Sequence, residues 1–148
     1  MTTSPPRTAI VTGGASGIGR ATCTRLLADG FRLAVADLDA AGAAGVAGPD
    51  GVARAVDVVD EAAVSGFVAE VAAAFGRIDV LVNNAGVAGT PEATVLHTTP
   101  VADWDRVLAV NVRGPFLFSR SVLPVMIDQG GGHIITIASV PDPLRNDT

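Results

Sequence analysis

Two residue types that enzymes often use are missing from this sequence. Its 148 residues include no tyrosine and no lysine, so all ten basic residues are arginines. Cysteine occurs once, as Cys23, which excludes an internal disulfide and leaves too few thiolates for a multi-cysteine zinc site. Apolar runs stay below the roughly 20 residues that a membrane span needs, and the N-terminus lacks the apolar run of a secretory signal. We therefore expect a cytoplasmic protein without a metal site.

Positive charge is also scarce. The formal net charge is −5 and the isoelectric point is about 4.7, which disfavours attraction to phosphate backbones. With 49% hydrophobic and 17% charged residues, the composition fits one globular domain that buries a core. We expect neither nucleic acid nor a membrane as a partner.

Short apolar runs of strand length alternate with longer segments of helical periodicity. The five predicted strands are 9–11, 33–36, 52–56, 80–82 and 134–138. Their near-continuous Val, Ile, Leu and Ala content is typical of parallel strands covered by helices on both faces. The sequence therefore predicts an α/β fold with a doubly wound parallel sheet of about five strands.

Three helices are predicted between these strands, at 17–28, 40–47 and 61–75, and Asp60 is the expected cap of the third. The inner face of the first helix is expected at Ile18, Ala21, Cys23, Leu26 and Leu27. That of the third is expected at Val64, Phe67, Val68, Val71, Ala72 and Phe75.

A longer fourth helix is predicted to begin at Thr99, whose hydroxyl can accept an orphan amide, with Pro100 in the first helical position. Gly114 and Pro115 fall inside this helix. Since proline removes one backbone hydrogen bond and crowds the preceding turn, we predict a kink or break near Asn111.

A glycine-rich segment, Thr-Gly-Gly-Ala-Ser-Gly-Ile-Gly at 12–19, lies between the first predicted strand and the first helix. Glycines let the main chain approach a phosphate, and the free amides and positive dipole of a helix start attract its charge. In this context the pattern predicts a cradle for the pyrophosphate of a dinucleotide. The residues expected to contact the cofactor are Gly13, Ser16, Gly17, Ile18 and Gly19. A tight turn with a purely structural purpose is the alternative interpretation.

Asp37 follows the second predicted strand. Its carboxylate can accept hydrogen bonds from both ribose hydroxyls and would repel a 2′-phosphate, and no arginine stands beside it to reverse that preference. We therefore predict NAD rather than NADP as the cofactor. Asp39 is a competing candidate that suits a helix start better, and a merely solvated Asp37 is the plainer alternative.

Two further motifs are Asn83-Asn84-Ala85-Gly86, after the fourth predicted strand, and Asn111-Val112-Arg113-Gly114 in the fourth helix. Together with the glycine-rich loop and Asp37, they make the chain resemble the short-chain dehydrogenase/reductase family, a group of Rossmann-fold oxidoreductases, from about residue 8 to 139. The resemblance implies an NAD-binding Rossmann-type domain at 1–139, followed by an irregular tail at 140–148. It also implies hydride transfer between the nicotinamide and an alcohol or carbonyl substrate.

The resemblance assigns cofactor contacts beyond the glycine-rich loop. Asp57 and Val58 match the positions that hydrogen-bond and enclose the adenine. Asn83, Ala85 and Gly86 match the segment that stabilises the central sheet and passes the cofactor's ribose. From the residues alone, a plain turn at a strand end is the alternative interpretation of both segments.

The resemblance also assigns two catalytic positions. Asn111 matches the residue that holds a water molecule in the family's proton relay, and Ser139 matches the serine that orients and polarises the substrate carbonyl or hydroxyl. An isolated asparagine in a helix would otherwise be interpreted as structural, and a serine at a strand end can simply cap or turn the chain.

The family's catalytic tyrosine and its lysine partner have no counterpart here, because the sequence contains neither residue type. His97, in a predicted loop, and His133, at a predicted strand start, are interpreted as exposed polar residues and not as substitutes. Family members continue beyond this point, so we expect a chain truncated before the Tyr-x-x-x-Lys segment. The apolar positions then expected to be partly uncovered are Val107, Leu108, Phe116, Leu117, Val122 and Leu123.

Three hypotheses follow from these observations. The first is the NAD-binding portion of a dehydrogenase/reductase that is inactive without the missing tyrosine and lysine. The second is a noncatalytic nucleotide-responsive module that pairs with a partner, and the third is a nonfunctional fragment. For a full-length family member we expect a homo-oligomer acting on a small alcohol or carbonyl compound.

Overall fold

A parallel five-stranded sheet forms the centre of the structure, a computed structural model that describes residues 5–90 and 95–139. The strands are β1 (Thr8–Thr12), β2 (Arg32–Asp37), β3 (Val52–Ala55), β4 (Val80–Asn83) and β5 (His133–Thr136), in the spatial order β3-β2-β1-β4-β5. The helices are α1 (Gly17–Ala28), α2 (Ala40–Ala47), α3 (Glu61–Phe75), α4 (Val101–Leu108) and α5 (Gly114–Asp128). The predicted α/β fold, a Rossmann-like doubly wound sheet, is confirmed.

The sheet is covered on both faces because alternate residues of its strands point to opposite sides. On one face, Ile10 and Leu81 pack with α3 and α5 in a cluster that includes Phe67 and Phe118. The rings of those two phenylalanines meet edge to face, with centroids 6.3 Å apart. On the other face, β-strand side chains such as Val11 pack with residues of α1 and α2. The near-continuous apolar strands of the sequence therefore correspond to a sheet between two helical layers.

Helix α1 has the predicted bounds but not the predicted inner face. Cys23 is fully buried and Leu26 is half-buried, whereas Ile18 and Leu27 are 65% and 42% exposed and Ala21 is exposed. The helix contacts the sheet through Gly19, Cys23 and Leu26, which are spaced by four and three residues and share one face. The expectation for Ile18, Ala21 and Leu27 is therefore wrong, because these residues lie to either side of that face. The inner face predicted for α3 is confirmed, since its six positions are all buried or half-buried.

The fourth predicted helix is divided into α4 and α5 by a π-helical segment, Ala109–Arg113. The predicted break near Asn111 is thus confirmed. The cap at Thr99 is wrong: Pro100 occupies the N-cap position, and the Thr99 hydroxyl donates to the Val95 carbonyl at 3.1 Å, within the preceding 3₁₀ turn. No helix of the described ranges is long and apolar enough to cross a membrane.

The apolar side chains expected to be uncovered behave in two ways. Leu108, Phe116 and Leu123 are 40%, 58% and 43% exposed, and Val107 is half-buried. Leu117 and Val122 are buried against the sheet, so the expectation is wrong for these two, because they belong to the face of α5 that packs on β4 and α3. The predicted tail at 140–148 lies outside the described residues.

Candidate cofactor-binding site

A cavity of about 550 Å³ opens at the carboxyl edge of the sheet, beside the neighbouring strands β1 and β4. The chain continues from β1 to β2 on one side of this pair and from β4 to β5 on the other. In doubly wound sheets this reversal of strand order leaves a crevice in which ligands bind. We call this space the edge cavity. The predicted cofactor residues that line it are Gly13, Ser16, Gly17, Ile18, Asp37, Asp57, Val58, Ala85 and Gly86.

The glycine-rich loop forms one end of the edge cavity. Gly13 and Gly17 have φ angles of +63° and +51°, a region that favours glycine. Ser16 is the N-cap of α1, and its hydroxyl makes no capping hydrogen bond within the described ranges. The amides of the first helical turn have no intrahelical acceptors and, with the helix dipole, suit an anionic group. The loop therefore fits the pyrophosphate of a dinucleotide.

Gly19 does not line the edge cavity but packs against the side of the glycine-rich loop that faces away from it. A Cβ atom built on it would lie 2.8 Å from the carbonyl carbon of Gly13 and 2.5 Å from Nδ2 of Asn84. The last glycine of the segment thus allows the start of α1 to pack directly on the loop's own backbone.

Asn84 holds the loop against the end of β4. Its Nδ2 donates to the carbonyls of Thr12 and Gly13 at 3.1 and 3.0 Å. In return, the Thr12 hydroxyl accepts hydrogen bonds from the amides of Asn84 and Ala85, both at 3.0 Å. These four bonds fix two cavity walls, from segments distant in the sequence, relative to each other.

The Asp37 carboxylate lies at the end of β2, in the cavity wall. Its Oδ2 accepts from the amide of Ala15 in the glycine-rich loop at 2.9 Å, and its Oδ1 accepts from the amide of Asp39 at 3.0 Å. Each carboxylate oxygen can accept more than one hydrogen bond, so these contacts orient the group and leave acceptor capacity. Asp39, the competing candidate, instead caps α2 by accepting from the Gly42 amide at 2.9 Å.

A turn from Asp57 to Asp60 forms the opposite end of the cavity. Val58 is 8% exposed and contributes an apolar wall. The turn is closed by hydrogen bonds from the Asp60 amide to the Asp57 carbonyl and from the Val59 amide to the Asp57 carboxylate, both at 3.1 Å. An apolar wall beside a carboxylate fits an adenine ring with its exocyclic amine.

Asn111 lies outside the cavity lining and acts on the loop that follows β4. Its Oδ1 accepts from the Val87 amide and its Nδ2 donates to the Val87 carbonyl, both at 2.8 Å. The same loop is held by an ion pair between the buried Asp103 and the exposed Arg106. Asp103 accepts from the Thr90 amide at 2.8 Å, and Arg106 donates to the Ala88 carbonyl at 2.9 Å.

Asn83 and Ser139 also lie outside the cavity lining. Asn83 is buried at the end of β4, where its Nδ2 donates to the hydroxyls of Ser119 and Thr136 at 3.3 and 3.5 Å. Ser139 is exposed, three residues beyond the end of β5. The structure thus brings most of the predicted cofactor residues to one cavity, whereas Gly19 and Asn83 of that set lie outside its lining.

Sequence reasoning missed several residues of the lining, namely Ala36, Leu38, Val56, Asn84, Val87 and Val110. Five of them adjoin predicted residues at or just after the ends of β2, β3 and β4, so their place near a strand end was an available signal. Val110 had no such signal, since it comes from the π-helical segment.

The remaining candidate side chains lie away from the edge cavity. His97 is exposed in the 3₁₀ turn Leu96–Thr98, and His133 is exposed at the start of β5, as predicted. Cys23 is buried behind the glycine-rich loop, where desolvation raises the pKa of its thiol to about 11. In the ranges that the structure covers, no group of three or more His, Cys, Asp or Glu side chains could hold a metal ion.

Comparison with known proteins agrees with this geometry. A family model described as short chain dehydrogenase matches residues 7–142. The chain is 53% identical over 141 residues to the 2-(R)-hydroxypropyl-CoM dehydrogenase of Xanthobacter autotrophicus, covering 90% of this chain and 56% of that protein.

Two similar crystal structures contain nicotinamide cofactors. One is the 3-ketoacyl-(acyl-carrier-protein) reductase from Brucella melitensis complexed with NADH, with a TM-score of 0.82 at 33% identity, covering 92% of this chain and 59% of that one. The other is a metagenomic short-chain oxidoreductase in complex with NADP, with a TM-score of 0.82 at 38% identity, covering 91% and 62%.

The chain spans about half the length of the curated relatives it matches. The family match extends over nearly all of its own residues, and the fold and the edge cavity agree with it. The chain therefore belongs to the short-chain dehydrogenase/reductase family, whose members bind a nicotinamide cofactor.

Proposed function

We propose that this chain is the NAD-binding portion of a dehydrogenase/reductase that interconverts an alcohol and a carbonyl compound. When bound, the cofactor supplies the hydride acceptor or donor. The chain's own part is to hold the pyrophosphate at Gly13, Ser16 and Gly17 and to enclose the adenine beside Val58. Gly86 allows the chain to pass close to the cofactor at the end of β4.

The position of Asp37 carries the preference for NAD over NADP. Its carboxylate is fixed in the cavity wall by the amides of Ala15 and Asp39. It is therefore oriented to accept hydrogen bonds from ribose hydroxyls and to repel a 2′-phosphate. The next residues in the sequence, Leu38 and Asp39, offer no cation that would compensate a phosphate.

Calorimetric titration of the 148-residue chain with NADH and NADPH tests this preference. We expect NADH to bind at least about tenfold more tightly, because one unfavourable charge contact costs on the order of 1.4 kcal/mol or more. In Asp37→Ser the difference should shrink, since the repulsive carboxylate is gone. Equal or tighter binding of NADPH by the unmodified chain would refute the proposal.

We further propose that these residues alone are catalytically inactive. General acid/base catalysis needs a proton donor of suitable pKa at the substrate, and the sequence offers neither the tyrosine nor the lysine with which the family meets this need. Ser139 and Asn111 would then orient the substrate and support proton transfer only together with groups from outside this sequence. NAD-dependent turnover by the purified chain would contradict this proposal.

The cytoplasmic location of the protein and the homo-oligomeric state of a full-length family member, both expected from the sequence, stay predictions.

A further inference from the structure

The wall that Val58 forms depends on contacts from outside its own turn. The hydrogen bonds between Asp57 and the Val59 and Asp60 amides close the turn, but they tie it only to itself. Just before the turn, the Val56 amide donates to the Asp37 carbonyl at 2.9 Å, which ties the chain to the end of β2. Another element contacts the Val58–Val59 pair itself.

That element is the junction between the π-helical segment and α5. Arg113, the last π-helical residue, donates from Nη1 to the Val59 carbonyl at 2.9 Å, across 54 positions of the sequence. The next residue, Gly114, packs its backbone on Val58: a Cβ built on Gly114 would lie 2.8 Å from Val58 Cγ2. One junction thus contacts the Val58–Val59 pair through both a hydrogen bond and close packing.

We infer that Arg113 is a positioning residue for adenine binding, acting through the Val59 carbonyl to hold the Val58 side chain at the cavity. This inference rests on the proposed binding of NAD. Arg113 does not line the cavity, so its effect on the cofactor is indirect.

Arg120 provides a matched control. It lies on α5, seven residues after Arg113, and reaches the start of α3, where its Nη1 donates to the Glu61 carboxylate at 3.0 Å. Both side chains of this pair are more than half exposed, and neither lines the edge cavity. Its replacement therefore removes an arginine contact to the same region without touching the Val58 wall.

The experiment measures dissociation constants of NADH and ADP-ribose for the unmodified 148-residue chain and for Arg113→Met, Arg113→Lys and Arg120→Met, with thermal unfolding of each. We expect Arg113→Met to weaken both ligands by the same factor, about three- to tenfold, as for the loss of one hydrogen bond. Because ADP-ribose lacks only the nicotinamide, an equal factor places the effect in the ADP-ribose part of the cofactor, as expected for a contact with the adenine. Arg113→Lys, which keeps a donor, should restore part of the affinity, and Arg120→Met should bind both ligands as the unmodified chain does.

The outcomes separate the inference from the proposed function. If the unmodified chain binds NADH and Arg113→Met binds it equally well, the inference is overturned while the proposed function stands. The inference also fails if Arg120→Met weakens binding as much as Arg113→Met, or if the affinity loss follows only the unfolding temperature across all variants. Absence of NADH binding by the folded, unmodified chain would overturn both.

Discussion

Gly19→Ala should disrupt the candidate site, although alanine is the better helix former. Gly19 lies in the first turn of α1, where exchanging glycine for alanine would by itself stabilise the helix by roughly 0.5–1 kcal/mol. The added methyl group, however, would lie 2.8 Å from the Gly13 carbonyl carbon and closer still to its oxygen. Those atoms belong to backbone, which cannot move aside as the end of a flexible side chain can.

The expected cost combines two effects. Overpacking of this kind costs about 1–3 kcal/mol. The methyl group also collides with Nδ2 of Asn84, whose hydrogen bonds to the Thr12 and Gly13 carbonyls contribute about 1 kcal/mol each. After the gain in helix propensity is subtracted, we expect Gly19→Ala to lower the free energy of unfolding by about 2–4 kcal/mol. This loss is a large part of the free energy of unfolding of a small domain, which is only about 5–15 kcal/mol in total.

Gly66→Ala is the matched control for this prediction. Gly66 lies inside α3, and a Cβ built there meets nothing within 4 Å, so the same substitution should stabilise the chain by roughly 0.5–1 kcal/mol. Urea unfolding followed by circular dichroism gives both free energies, and calorimetry gives NADH affinity under conditions where each variant is folded. We expect Gly19→Ala to lose most NADH binding and Gly66→Ala to keep it. If both variants unfold at the same free energy and bind NADH equally, the reasoning about Gly19 is wrong.

Two further predictions concern stability. The Thr90 amide and the Arg106 guanidinium lower the pKa of Asp103, so the charged carboxylate stabilises the folded state above the ordinary carboxyl pKa near 3.9, and this stabilisation is lost as pH falls through the lowered value. In urea unfolding, Asp103→Asn should therefore destabilise the chain more at pH 7 than at pH 3. Equal destabilisation at the two pH values would contradict the ion-pair explanation. Phe118→Ala should cost about 3–5 kcal/mol because its ring is fully buried against Phe67. Phe116→Ala, two residues away and 58% exposed, should change the free energy of unfolding by less than about 1 kcal/mol, and similar losses for both would refute this view of the α5 face.

The parts of the fold that depend on local patterns could be predicted from the sequence. Helix bounds such as those of α1, α2 and α3 follow from periodicity and caps, and the predicted cap at Asp60 is present, with its Oδ1 accepting from the Ala63 amide at 3.0 Å. The glycine-rich loop was identifiable because its backbone conformation requires glycine at particular positions, as the positive φ angles of Gly13 and Gly17 show.

Features that depend on segments far apart in sequence could not be predicted in this way. The contact of Asn84 with Thr12 joins residues 72 positions apart, and no local pattern specifies it. Ile18 is predicted on the inner face of α1 but is 65% exposed and lines the cavity, because it lies beside the face through which Gly19, Cys23 and Leu26 pack. Helical spacing alone therefore does not fix which of two neighbouring faces is buried.

The π-helical segment that interrupts the fourth predicted helix contributes directly to the candidate cofactor site. Pro115 has no N–H to donate to the carbonyl of Asn111, so the α-helical ladder cannot continue through that position. Instead, Gly114 donates to Ala109 in the wider π-helical pattern. Residues two apart on a helix point in nearly opposite directions, and here Asn111 bonds Val87 while Arg113 bonds Val59. Val110, in the same segment, lines the cavity between them. The break therefore lets one short segment hold two parts of the candidate cofactor site, the loop after β4 and the turn that carries Val58.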